Sequence, residues 1–268
     1  PERAVAALAN LRDYALWKRR PARMVTRFRV NRRRVERIIS RRLRAGENRI
    51  GEVRSKNILR AYGFMTHEGA GGGSAEEAVE AAERIGYPVA VKIVSPDIVH
   101  KSDIGGVKLN LSSGTEVEDA FELMMPRVRQ RAPEARIEGA YGEKMLPRGG
   151  EVIIGMSRDP QFGPMLMFGL GGIFVEVMKD VTFHLAPVTH DEALQMLVST
   201  RSYEILQGAR GQRAVDLGAV ATGLQRISQL TTDFPRIEEV DINPFMVGEI
   251  GREPFVADAS ITVRGERQ

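Results

Sequence analysis

A chain of 268 residues is long enough to bury one large core or two smaller ones. No run of 18 apolar residues offers a membrane span, and with no Cys there is neither disulfide nor thiolate chemistry, which fits a reducing, cytoplasmic setting. A pI of 9.5 suggests nucleic acid until the charge is mapped: residues 1–50 hold 16 Lys and Arg against 4 Asp and Glu, and the remainder 23 against 31.

The basicity therefore belongs to an N-terminal arm on an acidic body. Such an arm either touches RNA or a membrane surface, or serves as a solvated, partly helical connector. Val30, Val35, Ile38, Ile39 and Leu43 keep helical spacing, which favours the connector. An RNA-binding protein is the poorer reading, because the body lacks the aromatics that would interleave with basic residues. The chain starts at Pro1 rather than Met, so a fragment or a processed product is expected.

In chain order, residues 1–45 read as helical and Arg-rich, with Pro21 separating two segments. Val53, Ile58, Leu59 and Tyr62 share one face of a short helix that Gly63 stops. A flexible glycine run follows, then Ser74 as N-cap with Glu77 three residues on, a helix, and a stop at Gly86. From Tyr87 the period changes to two. Residues 88–94 and 106–111 are strands, a helix covers about 115–130, and a strand at 136–146 leads into a second α/β unit. That unit should contain strands near 151–156, 164–168 and 173–184, helices over about 190–207 and 213–231, and a closing hairpin. The alternation indicates α/β or α+β layers rather than a bundle or sandwich.

The hairpin stretch IEEVDINPFMVGEIGREPFVADA reads as two short apolar strands that bring Asp241, Asn243 and Asp258 together beside a turn. Oxygen ligands converging from strand ends suit a hard Mg²⁺ ion carrying phosphates; the alternative is an ordinary hairpin with polar turn formers. Lys92 lies inside the apolar strand VAVKIV, where an ammonium needs a partner. It either snorkels from an exposed face or offers a point charge to phosphate. Gly105 and Gly106, in SPDIVHKSDIGGV, would let backbone N–H groups approach phosphate oxygens without Cβ obstruction. The segment departs from both GxxxxGK[ST] and GxGxxG, which argues against P-loop and Rossmann sites. His100, in the same loop, is either a surface residue or a nucleophile toward phosphoryl groups. EKMLPRGGE, residues 143–151, is either a plain connection or an extended segment whose backbone reads an adenine edge, with Glu151 accepting ribose hydroxyls. GLGG at 169–172 suits a close backbone approach or a tight β-connection, and no role follows for Glu176 or Asp180.

Taken as an ordered set, YPVAVKIVSPDIVHKSDIGGVKLNL, EKMLPRGGEVIIGMSRDPQFGPMLMFGLGGIFVEVMKD, EVDINPFMV and VADASI resemble the ATP-grasp domain of NDP-forming acyl-CoA synthetases. This is the β part of ADP-forming acetyl-CoA synthetase, more distantly similar to the succinyl-CoA synthetase β-subunit. The resemblance covers about residues 50–263, and residues 1–50 look like the tail of a preceding CoA-ligase domain. It implies an α+β ATP-grasp fold in which a small subdomain, about 85–143, and a larger one, about 144–263, clamp ATP or ADP with Mg²⁺.

The implied activity is that of an acid–thiol ligase, acyl-CoA + ADP + phosphate ⇌ acid + ATP + CoA, running through phosphohistidine. A CoA-binding α domain or subunit would handle acyl-CoA and acyl phosphate, in a homo- or hetero-oligomer. Carried over by motif, Lys92 would contact phosphates, and Gly105 and Gly106 would form the loop closing over them. Lys144, Met145 and Leu146 would hold adenine, and Glu151 the ribose. Asn243 and Asp258 would coordinate Mg²⁺, Asp241 would orient an incoming phosphohistidine, and His100 would relay phosphate. The alternative is a non-catalytic regulatory ATP-grasp-like module of a multidomain acyltransferase, against which the retained His100, Asn243 and Asp258 argue. The glycine-rich HEGAGGGSAEEA departs from the family's usual stretch and suggests a looser lid entry.

Overall fold

Period-two apolar runs in two parts of the chain build two separate sheets, each with its own helices and its own core. In this computed structural model the described residues are 2–19, 23–67, 69–95, 97–98, 101–145, 149–171, 179–208 and 213–265.

The smaller sheet has the order β3 (Gly69–Gly72), β6 (Gly139–Lys144), β4 (Val89–Val94), β5 (Val107–Leu111), and every pairing in it is antiparallel. Val89, Val91 and Ile93 of β4 and Ala140 of β6 pack on α4 (Ala75–Ile85) and α5 (Gly114–Arg131) through Ala78, Ala82, Val117, Phe121, Met124 and Val128. The caps of α4 match the sequence reading: Ser74 Oγ accepts from the Glu77 N–H at 3.3 Å, and Gly86 takes φ +82°. Glu77, however, reaches the N–H of Gly73 at 2.6 Å rather than that of the cap residue.

The glycine run is not a flexible loop. It forms β3, and a Cβ at Gly69 would stand 2.3 Å from the Gly142 carbonyl, while one at Gly72 would meet Glu77 Cβ at 2.3 Å. Glycine is required there by close approach.

The larger sheet runs β1 (Arg49–Ile50), β12 (Ala259–Val263), β10 (Ile237–Val247), β7 (Gly150–Asp159), β8 (Gly163–Leu170), β9 (Val181–Leu185), with β11 (Phe255–Val256) paired to β10 and β2 (Met65–Thr66) paired to β11. Val152, Ile154 and Met156, with Val240, Ile242, Ile261 and Val263, form the face that packs with Val220, Leu224 and Ile227 of α8 (Leu217–Asp233). The closing segment is thus more than a hairpin of two short strands. β10 spans eleven residues and lies centrally, paired with β7 on one side and β12 on the other.

One further expectation is corrected. Residues 190–207 are two helices, α6 (His190–Val198) and α7 (Tyr203–Leu206). The Asp180 carboxylate ties the turn between them, accepting from the N–H groups of Arg201 at 2.9 Å and Ser202 at 2.7 Å. That gives Asp180 a structural role. Of the strand expected at 173–184, residues 173–178 lie outside the described ones, and 181–184 fall in β9 as expected.

The basic arm is a solvated helix only in its first part, α1 (Glu2–Lys18), which is exposed almost throughout. From Arg23 onward it straps the larger unit. Phe28 exchanges two hydrogen bonds with the Gln229 side chain, Arg226 stacks over the Phe28 ring at 4.3 Å, and Arg27 pairs with Asp233 at 2.8 Å. Val35 and Ile39 of α2 (Arg32–Arg44) are buried in the larger core. Hydrophobic burial of that stripe outweighs the solvation its arginines would favour. α3 (Glu52–Ala61) joins the same core through Ile58 and Leu59, with Tyr62 just past its end.

Candidate functional site

Strand alternation sends every second side chain to the face opposite the helices. On the smaller sheet that face carries Lys92, paired in register with Tyr141, and Glu143 two residues along β6. On the larger sheet it carries Glu151, Ile153 and Gly155 of β7, Asp241 and Asn243 of β10, and Ser260 opposite Asp241 on β12. The first two turns of α3 supply Glu52 and Lys56 between them.

These elements converge on a buried ion network. Lys92 Nζ donates to Glu52 Oε1 at 3.1 Å, Glu143 Oε2 at 3.1 Å and the Ala257 carbonyl at 2.9 Å. Lys56 Nζ donates to Glu52 Oε1 at 2.9 Å and to Glu143. Lys101 Nζ donates to Glu52 Oε2 at 2.6 Å and stands 3.7 Å from Asp258 Oδ2. The side chains of Glu52, Lys56, Lys92, Lys101 and Glu143 are 9%, 3%, 11%, 10% and 7% exposed. Isolated charges at that depth would each cost several kcal/mol. Mutual pairing is therefore the condition for their burial.

Burial alone would raise the Glu52 carboxyl, but Lys92, Lys56 and Lys101 outweigh it and hold the group well below the usual carboxylate range. Burial would lower the Lys92 ammonium, yet Glu52, Glu143 and Asp258 raise it above the ordinary lysine value. Asp258 goes the other way: burial, with Glu52 close by, pushes it up to about 6 against the pull of Lys92, Lys101 and Lys56.

Beside the network lies a cleft of about 270 Å³ lined by Glu52, Lys101, Asp241, Asn243, Asp258 and Ser260, among others. The hairpin residues expected to converge do share this cleft. The Asn243 N–H donates to the Asp258 carbonyl at 3.2 Å, and Ala259 N–H to Asp258 Oδ1 at 2.7 Å, which fixes the two residues relative to each other. Among the described residues no group of three or more His, Cys, Asp or Glu is placed to hold a metal. An Asn amide oxygen and one carboxylate nevertheless fit Mg²⁺, which keeps several waters and takes its remaining ligands from phosphates.

The remaining expected residues fall as follows. Gly105 has φ +76°, and a Cβ on Gly106 would stand 2.7 Å from Ile93 Cγ1. Their N–H groups close the turn itself, donating to Ser102 O at 3.0 Å and Lys101 O at 2.7 Å. In this arrangement the glycine pair serves the packing of the loop under β4 and aims no N–H into the cleft. Lys144 lies on the helix side of its strand, donating to the Gly86 and Tyr87 carbonyls at 2.7 and 2.6 Å. The Met145 N–H extends the β4–β6 pairing by donating to Pro88 O at 2.9 Å. Glu151 is exposed at the start of β7, beside Met246 of β10. His100, Leu146 and Glu176 lie outside the described residues.

Sequence reasoning missed Glu52, Lys56, Lys101 and Glu143. A signal existed for the first two, an acid and a lysine at i,i+4 on the face of a helix whose neighbours are buried.

The ATP-grasp domain family matches residues 41–263. The ADP-forming acetate–CoA ligase I of Archaeoglobus fulgidus is 44% identical over 252 residues, 94% of this chain and 36% of that protein. The β subunit of ADP-forming acetate–CoA ligase I of Pyrococcus furiosus is 48% identical over 204 residues, 76% of this chain and 88% of the subunit.

Among solved structures, an acetyl-coenzyme A synthetase of Ca. Korarchaeum cryptofilum in complex with coenzyme A, Ca-AMPCP and HgCl⁺ matches with a TM-score of 0.82 and 39% identity, over 85% of this chain and 99% of that one. The same enzyme with coenzyme A and Mg-AMPPCP, its phosphohistidine segment pointing towards the nucleotide binding site, matches at 0.73 and 36% identity over the same shares. Two sheets opposing polar faces across a cleft define a clamp, and the chain belongs to the ATP-grasp domain family. It spans about a third of the A. fulgidus ligase.

Proposed function

We propose that the chain is the nucleotide-binding, phosphoryl-transfer half of an ADP-forming acyl-CoA synthetase, exchanging phosphate between ATP or ADP and a phosphohistidine carried by a CoA-binding partner. The observation that carries this reading is the cleft that Lys101 shares with Asp241, Asn243 and Asp258, with Lys92 held beside it through Glu52, which also lines it. In the ATP-forming direction the N–P bond of phosphohistidine breaks and an O–P bond forms to the terminal phosphate of ADP. Such transfer asks the protein mainly for positioning and charge neutralisation.

Lys92 and Lys101 supply positive charge from the smaller unit, and Asp241 orients the imidazole of the incoming segment. Mg²⁺ bound by Asn243 and Asp258 would neutralise charge on the phosphate oxygens. Glu151 takes the ribose, and the backbone around Lys144, Met145 and Leu146 reads the adenine. His100 relays phosphate, a role that rests on the sequence resemblance. The small subdomain, which with β3 and α4 begins near residue 69 rather than the expected 85, acts as a lid that excludes water.

The test is calorimetric titration with Mg-ADP, followed by labelling from [γ-³²P]ATP in the presence of the CoA-binding part. Saturable ADP binding without acyl-CoA turnover by the chain alone, and label lost in His100→Ala, is the expected result. Synthetase activity from residues 1–268 alone overturns the half-enzyme reading.

A further inference from the structure

An ammonium has three N–H donors, and on Lys92 all three meet described acceptors: Glu52, Glu143 and the Ala257 carbonyl. A phosphate approaching Lys92 therefore has to replace one of them. The three differ in what release would cost. Glu143 sits on β6, beside the strand that carries Lys92, and moves with it. Ala257 O is backbone, anchored where the Ala257 N–H donates to Pro244 O at 3.1 Å. Glu52 can let go without being stranded, because Lys56, one turn along the same helix, remains at 2.9 Å.

Glu52 also bridges two cations as a phosphate would, with one oxygen on Lys92 and the other on Lys101. It comes from α3, which is built into the larger unit, whereas Lys92 and Lys101 belong to the smaller sheet and the loop between β4 and β5.

We propose that Glu52 is a positioning residue whose carboxylate stands in for nucleotide phosphate, keeping Lys92 and Lys101 side by side at the edge of the cleft and yielding them to the incoming phosphates. This rests on the nucleotide-binding reading above and adds an exchange of anions to it. While Lys92, Lys56 and Lys101 face it, the Glu52 carboxyl is held below its usual range and stays ionised. Because the lysines are shared with Glu52, apparent nucleotide affinity is reduced by the fraction of molecules in which the carboxylate keeps them.

The test compares the full chain with Glu52→Gln, titrating ADP with and without Mg²⁺ by calorimetry and following thermal melting. Glu52→Gln is expected to bind ADP about three- to tenfold more tightly, because the competing charge is gone. Its melting temperature without added nucleotide falls, and the gap to wild type narrows at saturating ADP. Glu52→Asp, which keeps the charge on a shorter arm, is expected to lie between the two and serves as the readout if the Gln variant does not fold. A folded variant whose ADP affinity equals or falls below that of wild type overturns the inference while leaving nucleotide binding in place. Failure of wild type itself to bind ADP overturns the nucleotide reading and the anion exchange with it.

Discussion

In the smaller sheet the face turned away from its helices carries Lys92, Tyr141 and Glu143, whereas in the larger one it carries Glu151, Asp241, Asn243 and Ser260. The same period-two rule produced both faces, yet one offers a cation and the other offers oxygen donors. Neither sheet makes the site alone. The neutralising partners of Lys92 are split between them: Glu143 comes from its own sheet, and Glu52 from a helix buried in the larger core. The groups proposed to bind phosphate are therefore among those that join the two units.

The largest effects should come from the two cores. Phe168→Ala in the larger core and Met124→Ala in the smaller, both almost fully buried, should cost about 4 and about 3 kcal/mol in denaturant unfolding. If the cores are separate, hydrogen exchange quickens mainly in the unit that was cut. Equal loss of protection in both would show a single cooperative core.

The joint comes next. Lys92→Ala leaves Glu143 and Glu52 with one fewer counter-charge and should destabilise the fold by about 3 kcal/mol. In the same variant ADP affinity should fall by about a hundredfold. A drop in stability without a drop in affinity would place Lys92 in the joint alone.

Acid should weaken the same contacts. Glu52 has a folded-state carboxyl below its ordinary value, so its stabilisation is complete above the unfolded value and lost as pH falls through the acid range. Unfolding free energy should therefore decline below about pH 4.5, near the ordinary glutamate value, and Glu52→Gln should flatten that decline. Asp258→Asn tests the larger sheet's contribution: Mg-ADP affinity should drop by about tenfold, with little change when ADP is titrated without the metal. The smallest expected effects are at the helix caps. Ser74→Ala in the smaller unit and Thr189→Ala in the larger each remove a side-chain cap, and each should cost about 1 kcal/mol by urea titration.

Much of this was legible in the sequence because it is local. Alternation placed β4, β5, β7 and β8, Ser74 and Gly86 marked the ends of α4, and the ordered motifs pointed to the ATP-grasp family before any geometry was available. The convergence of Asp241, Asn243 and Asp258 was also readable, since all three lie within one short stretch whose strands pair directly. The break between α6 and α7 was not, because the carboxylate that ties it, Asp180, lies about twenty residues upstream. Nor was the glycine run recognisable as a strand, since what demands glycine there is the Gly142 carbonyl on a strand distant in sequence.

Local sequence set which faces are apolar, where most helices begin and end, and which residue types reach the cleft. Tertiary structure alone decided the partners of Lys92, which lie 40, 51 and 165 positions away. It also decided that the arm from Arg23 onward is part of the larger unit. The reason is physical: periodicity reports how a side chain stands relative to its own strand or helix, whereas a buried charge is settled by whichever counter-charge packing brings within about 3 Å.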